Sequence, residues 1–221
     1  MQHPPFQIRP MAMRGVLHDG GTPVLDWKIV YPCFTSRRYA AAAAQLSAFY
    51  RSRALAQRRQ DYQALYPGAA AASRAGDAAL PYQSLSVFTA PFAAGCLASV
   101  YTDVYQYTGG ANGTTVRTAE TWNLETGRPV PLSALFPART DCEGYILGQI
   151  KAQVARQPDQ FFPDAAALAA QYFDPRRFYL TPQGVTVYYS LYEIAPHSSG
   201  IPAFRIPYDA GPVRLLCGRC L

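Results

Sequence analysis

Apolar and polar positions alternate through SVYTDVYQYT, residues 99–108, and alternate again through TTVRTAETWNL, residues 114–124. Between the two runs stands Gly-Gly-Ala-Asn-Gly, a cluster that tolerates positive φ, so the segment predicts a β-hairpin. Glu125-Thr126-Gly127-Arg128-Pro129 then closes the second strand in another turn. Upstream, short strands are expected at Met13 to Leu17 and at Val24 to Tyr31, joined through His18-Asp19-Gly20-Gly21-Thr22-Pro23. Ser36 is a good N-cap for a long helix from Arg37 to about Leu65. On it Tyr39, Ala43, Leu46, Phe49 or Tyr50 and Arg53 recur at helical spacing, while Arg51, Arg53, Arg58 and Arg59 decorate the rest. The Ala-, Gly- and Pro-rich stretch from Tyr66 to Pro81 reads as a mobile connection or a frayed helix end.

Strand character returns at Tyr82 to Phe92 and leads into the hairpin. After it, Pro131 and Ser133 introduce a short helical turn, and Asp141 caps a helix to about Gln157 with Tyr145, Ile146, Ile150 and Val154 on one face. A further helical piece from Asp164 to Tyr172 stops before Asp174-Pro175, where proline excludes continuation. Strands are expected at Arg177 to Leu180, Val185 to Leu191 and Phe204 to Tyr208. The order of elements predicts an α+β fold, a mainly antiparallel sheet packed with helices, one of them long and N-terminal.

Composition changes this picture in three respects. A chain of 221 residues, 49% hydrophobic and 15% charged, buries a real core, which excludes extensive disorder. Of its 20 basic residues only Lys28 and Lys151 are lysine, and the net charge of +6 favours encounter with acidic partners. A pI of about 9.1 raises the question of nucleic acid. No helix-turn-helix, RNP or zinc-finger pattern accompanies the charge, and the arginines are spread along the chain, so no nucleic-acid partner is expected.

The sequence holds no 18-residue apolar run, and MQHPPFQIRPMAMRG lacks the apolar region of an export signal. A cytoplasmic chain without membrane contact is the expectation, and an extracytoplasmic one if a signal has been removed. The five cysteines, Cys33, Cys96, Cys142, Cys217 and Cys220, are odd in number and scattered, which suits free thiols in a reducing compartment. Cys217-Gly218-Arg219-Cys220 reads as two reactive thiols on a terminal tail, since zinc needs four ligands and no matching half-site exists. No metal and no cofactor are expected.

Three blocks carry a family resemblance: YTDVYQYTGGANGTTVRTAETWNLETGRPVPLSALF, then YILGQI, then YFDPRRFYLTPQGVTVYYSLYEIAPHSSGIPAFRIPY. In this order they resemble the C-terminal domain of RsiV-type anti-sigma factors, a domain of unknown function that also accompanies some PdaC-type peptidoglycan deacetylases. The resemblance covers about Ala98 to Tyr208, and the preceding strands and helix resemble the companion N-terminal module. It implies a flexible tail over 1–12, a companion module over 13–97, an RsiV-like domain over 98–210 and a second tail over 211–221. It also implies a non-catalytic role, because the RsiV-type domain captures lysozyme outside the membrane. The membrane span and sigma-binding segment of that system are not found in the sequence, and a chain carrying +6 is repelled at long range by a basic lysozyme.

Two surfaces are candidate binding sites. With Thr108 opposite Thr114, Val100, Val104, Thr118 and Trp122 share one hairpin face, and Tyr101, Asp103, Tyr105, Tyr107 and Arg117 share the other. Tyrosines flanked by an acid and an arginine can stack on a sugar or anchor a protein. On the competing view a helix covers this face and Asp103 pairs diagonally with Arg117. The second surface is the loop Glu193 to Pro202, where Tyr192, Ile194, Ala195 and Pro196 match the family's block and His197 stands where the family more often has an aromatic residue.

Catalysis is the opposing class. Paired carboxylates at a separation of ~5 to 9 Å could hydrolyse a glycosidic bond. Asp103, Glu120 and Glu193 are the acids to nominate, yet alternation turns Asp103 and Glu120 to opposite faces. His197-Ser198-Ser199 lie side by side with no elbow motif around either serine. The sequence therefore predicts a non-catalytic protein that binds a protein or glycan partner through Tyr101, Asp103, Tyr105, Tyr107, Arg117, Tyr192, Pro196 and His197. A carbohydrate-active hydrolase and a basic nucleic-acid-binding protein are the alternatives.

Overall fold

The structure is a computed structural model that describes residues 5–76, 79–208 and 211–214. It has an α+β fold with three α-helices, a six-stranded sheet of β1 (Gln7–Asp19), β2 (Thr22–Thr35), β3 (Tyr82–Ala94), β4 (Leu97–Tyr107), β5 (Thr114–Asn123) and β6 (Arg128–Pro129) in that order, and a three-stranded sheet of β7 (Phe178–Thr181), β8 (Gly184–Tyr188) and β9 (Ala203–Pro207). The chain divides into two compact units, Met1–Thr89 with Thr102–Arg117 and Ala90–Tyr101 with Thr118–Leu221. Strands β3 (Tyr82–Ala94), β4 (Leu97–Tyr107) and β5 (Thr114–Asn123) each contribute residues to both. The far half of the β4–β5 hairpin is grouped with the first unit.

In the first unit, β1 (Gln7–Asp19) and β2 (Thr22–Thr35) form an antiparallel hairpin. Its turn uses Gly20 and Gly21 at φ 56° and 92°, values that a Cβ disfavours. β1 begins at Gln7, so residues 7–12 are strand where the sequence suggested a tail. Pro10 faces Pro32 across the ladder. Both prolines are tolerated because β1 is an edge strand and β2 meets β3 only over Leu25–Ile29, short of Pro32.

β2 and β3 run parallel, which requires a crossover between them. Helix α1 (Ala40–Arg74) supplies it. The hydroxyl of Ser36 accepts the N–H of Tyr39 at 2.8 Å, fixing the turn that precedes the helix. Ala43, Leu46, Tyr50, Ala54, Asp61, Leu65 and Ala69 form the buried stripe, with Ala54 rather than Arg53 continuing it. Arg53 instead lays its guanidinium over the Phe49 ring at 5.6 Å. The helix runs nine residues beyond the expected end at Leu65 and passes through Pro67. Burial of Leu65, Ala69 and Ala70 outweighs the lost hydrogen bond and the entropy of Gly68. Trp27, Ile29 and Ala54 form a core cluster with Met13, Leu17 and Tyr31 against it, and Phe34 stacks on Tyr50 at 5.9 Å.

In the second unit, β7 (Phe178–Thr181), β8 (Gly184–Tyr188) and β9 (Ala203–Pro207) form an antiparallel meander. Helix α2 (Cys142–Arg156) is capped by Asp141, whose carboxylate accepts the N–H of Gly144 at 2.9 Å, and its first turn carries Glu143 while its last carries Arg156. Helix α3 (Ala165–Gln171) is shorter. Ile146 and Ile150 are completely buried, as are Leu124, Leu135, Leu180 and Ile194. β8 ends at Tyr188, three residues before the expected Leu191, because Tyr189 turns its N–H to Pro202 O outside the ladder.

The cysteine expectation needs correction. Cys33 and Cys142 are free thiols, but Cys96 is disulfide-bonded. Spacing along the chain cannot reveal which thiols meet in space, and the inference of a reducing compartment loses its support at Cys96. The Cys217/Cys220 pair lies outside the described residues. Among the described residues no helix is long and apolar enough to cross a membrane.

Candidate functional site

The first set of candidates lies on the β4–β5 hairpin. Arg117 grips Asp103 with two parallel bonds, Nε to Oδ1 and a terminal nitrogen to Oδ2, both 2.7 Å. Both side chains are largely shielded from water, at 14% and 22% exposure, and the fork geometry makes this a strong charge-assisted pair. Three contacts fall on a common register: Leu124 N–H to Cys96 O, Ser99 to Thr121, and Asp103 to Arg117. That register is two residues away from Thr108 opposite Thr114. A slide of two keeps every side chain on its own face.

The tyrosines are half-buried and engaged. The ring of Tyr101 meets that of Tyr179 at 4.8 Å, and the hydroxyl of Tyr107 donates to Gly110 O at 3.1 Å. The Tyr105 ring lies directly over Gly113, where a Cβ would collide with it. The hairpin thus offers a neutralised ion pair and rings already in contact with other groups.

The loop presents different geometry. Tyr192 sits at φ 66°, in the left-handed region that L side chains rarely occupy, and its side chain is 66% exposed. Its neighbours hold it there. Glu193 accepts Arg177 on both carboxylate oxygens at 2.8 and 2.7 Å and accepts the Ser190 N–H at 2.8 Å, while the Phe162 ring meets Tyr192 edge-on at 5.4 Å. Pro196 leads into a 3-10 turn, His197–Ser199, in which His197 is exposed. Gly200, at φ 69°, reverses the chain.

Beside this loop lies a cleft of about 270 Å³ lined by Gln153, Gln157, Gln160, Phe161, Ser199 and Phe204, among others. Two tethers shape it. Ser199 Oγ donates to Gln160 O at 3.0 Å, and Gln153 Nε2 donates to Arg205 O at 3.0 Å. Phe161 stacks on the buried Phe204 at 5.6 Å, so its own ring faces the cleft from a fixed position. Amides and a hydroxyl over aromatic rings make a neutral, hydrogen-bonding surface.

Nearby, the Arg176 guanidinium bonded to Asp174 holds that carboxyl below its usual range. Burial pushes the phenols of Tyr189 and Tyr208 up, the latter to about 12. Tyr189 donates to Ala169 O at 2.8 Å and Tyr208 to Thr181 O at 3.0 Å, which marks them as structural donors.

Sequence reading passed over Asp61. This carboxylate, on α1, is only 2% exposed and accepts three hydrogen bonds: Gln57 Nε2 at 2.7 Å, Ser84 Oγ at 2.8 Å and Gln106 Nε2 at 3.0 Å. No cation is among these donors. The signal was present, because Asp61 is the one acid on the buried stripe of α1, seven residues after Ala54 and four before Leu65.

The comparisons with known proteins bear on the loop more than on the hairpin. Residues 133–209 match the model of DUF3298, a protein family of unknown function. The match contains Tyr192, Pro196, His197 and the whole glutamine cleft, and it leaves Tyr101 to Arg117 outside. Two solved structures have a similar fold. A member of the DUF3298 family from Bacteroides fragilis NCTC 9343 is 19% identical with a TM-score of 0.64, over 93% of this chain and 91% of that one. A DUF3298 family protein from Pseudomonas aeruginosa PAO1 is 19% identical with a TM-score of 0.56, over 94% and 92%. No curated protein matches this chain.

Proposed function

We propose that this protein is a non-catalytic binding module that holds a hydroxyl-rich glycan segment at the Tyr192 loop and the adjoining glutamine cleft. The observation that carries the reading is the conformation of Tyr192, an exposed ring on a left-handed backbone. Such a conformation costs ~1–3 kcal/mol and persists only where the surroundings impose it. Here an ion pair, a backbone bond to Glu193 and the Phe162 edge do so. A ring held outward in this way is a preorganised stacking surface.

The neighbouring groups suit the same ligand class. Gln157, Gln160 and Ser199 are exposed neutral donors and acceptors, matched to sugar hydroxyls rather than to a charged group. Glu193, the acid within reach of the loop, is taken up by Arg177 on both oxygens, which favours holding a ligand over hydrolysing it. The resemblance to RsiV-type domains, which capture a protein, supports the same general class of activity, binding without turnover.

The test is calorimetric titration with soluble peptidoglycan fragments and, in a separate arm, with lysozyme. Tyr192→Gly removes the ring and leaves a residue at ease with φ 66°, so the variant folds at least as well as the parent. Fragment affinity is expected to drop about tenfold or more in Tyr192→Gly and in Gln157→Ala. Unaltered affinity in both variants refutes the site, lysozyme binding alone replaces the ligand class, and release of cleaved fragments reverses the non-catalytic reading.

A further inference from the structure

The first unit contains a cavity that neither the family match nor the loop accounts for. It measures about 450 Å³, within the range of small-molecule sites, and is formed between the β1–β2 hairpin and α1. Leu17, Leu25 and Trp27 line it from the strands, and Leu55 lines it from the helix. Gly15 stands opposite Trp27 in the ladder, and a Cβ there would lie 2.8 Å from the indole, so glycine is what lets that ring lie flat across β1. Leu55 and Tyr62, at 42% and 54% exposure, leave apolar surface open at the mouth.

The charge at this mouth is positive. Arg58 holds its guanidinium 5.2 Å above the Trp27 ring, and Arg59 follows it on the exposed helix surface. Among the described residues neither arginine has an ion-pair partner within 4 Å. Asp61 shares the cavity, but its carboxylate is turned into three hydrogen bonds from Gln57, Ser84 and Gln106 and is sealed from water. Hydrocarbon walls beneath two planar, unpaired guanidiniums are complementary to an apolar body with an anionic head. Cation–π contact with Trp27 keeps Arg58 over the apolar floor, where a carboxylate seated on it would also be shielded from water.

We infer that this cavity binds a single-chain amphiphilic anion, with the alkyl chain against Leu17, Leu25, Trp27 and Leu55 and the carboxylate between Arg58 and Arg59. The site and its ligand are independent of the glycan reading, which concerns the other unit.

Decanoate is the probe, titrated into the full chain by calorimetry below its micellar range, with decyltrimethylammonium and phosphatidylglycerol vesicles in parallel. Saturable one-to-one binding of decanoate is expected, with the cationic analogue at least about tenfold weaker because its head carries the opposite charge. The double variant Arg58→Gln/Arg59→Gln, altered at exposed positions, should lose about tenfold or more for decanoate, whereas Arg58→Lys/Arg59→Lys keeps the charge and should retain part of the affinity. Equal binding of both head groups, an unaffected glutamine variant, absence of saturation, or binding to vesicles alone would each overturn the assignment.

Discussion

Replacing Asp61 by alanine removes one acceptor group from three donors at once. Ser84 is 2% exposed, so its hydroxyl would be left without a partner and without water, at a cost of ~1–3 kcal/mol. Gln57 and Gln106 are only half-buried and can rehydrate, so each loses no more than the net ~0.5–1.5 kcal/mol of an ordinary hydrogen bond. Against these losses stands the relief of no longer burying a carboxylate that lacks a cation. The balance predicts a destabilisation of about 2–4 kcal/mol for Asp61→Ala. Asp61→Asn keeps the shape, accepts from the two glutamines on Oδ1 and can donate to a rotated Ser84 hydroxyl, so about 1 kcal/mol is expected. Adding Ser84→Ala to Asp61→Ala should recover about 1 kcal/mol, because the stranded donor disappears with its acceptor. Urea unfolding followed by circular dichroism reads all four chains, with the transition slope required to stay constant. An Asp61→Ala midpoint equivalent to less than about 0.5 kcal/mol of change would refute the claim that this carboxylate ties α1 to β3 and β4.

The packing of this chain predicts three further outcomes. A Cβ at Gly184 would collide with the backbone carbonyl of Ile206, so Gly184→Ala should lower stability by about 1–3 kcal/mol, whereas Gly148→Ala, with open space around it inside α2, should raise it by roughly 0.5–1 kcal/mol; thermal melts compare the two. Burial holds the Tyr208 phenol at about 12 and raises that of Tyr189 as well. Both folded values lie above the ordinary phenol value of about 10, so the stability they contribute is fully present below about pH 10 and is lost as pH rises through the folded values. Urea midpoints across that alkaline window should fall for the parent and fall less for Tyr208→Phe. Finally, alkylation in denaturant without reductant, mapped by peptide mass spectrometry, should label Cys33 and Cys142 and spare Cys96 until a reductant is added.

Local periodicity was legible in this chain, and partnership across it was not. The β4–β5 hairpin announced itself because glycines separate two alternating runs, whereas Ser36, expected as the N-cap of α1, lies in the turn before it and accepts the N–H of Tyr39, the actual N-cap, which has no side-chain cap bond. The far end of α1 was hidden by Pro67 and Gly68, residues that break isolated helices but lose to the burial of Leu65 and Ala69. β1 was cut short for a similar reason, since Pro10 is a breaker only until an edge position excuses it. The parallel pairing of β2 with β3 leaves no trace in alternation, though a long helix between two strands is what such a pairing needs. Asp61 left a trace as the one acid on the buried stripe of α1, but Ser84 and Gln106 reach it from other elements, and spacing along the chain does not encode that meeting. Tyr192 was named from its family block, while the property that makes it a strong candidate, its left-handed backbone, exists only in three dimensions.

The pairing of acids and arginines joins these threads. Asp103 and Glu193, two of the three carboxylates that glycoside chemistry would draw on, are each held on both oxygens by Arg117 and Arg177. A general acid must present a free carboxyl oxygen to the bond it protonates, and an arginine that occupies both oxygens leaves none. A nucleophile or base must release its partner before it can act. The same kind of ion pair is well suited to a different task. Arg177 fixes Glu193, Glu193 fixes the Ser190 backbone, and the turn they close keeps Tyr192 facing outward. Releasing the ion pair by Arg177→Met therefore separates the two classes of function. A binding loop so disturbed relaxes Tyr192 and loses affinity, whereas a hydrolase whose carboxylate had been held in check gains turnover.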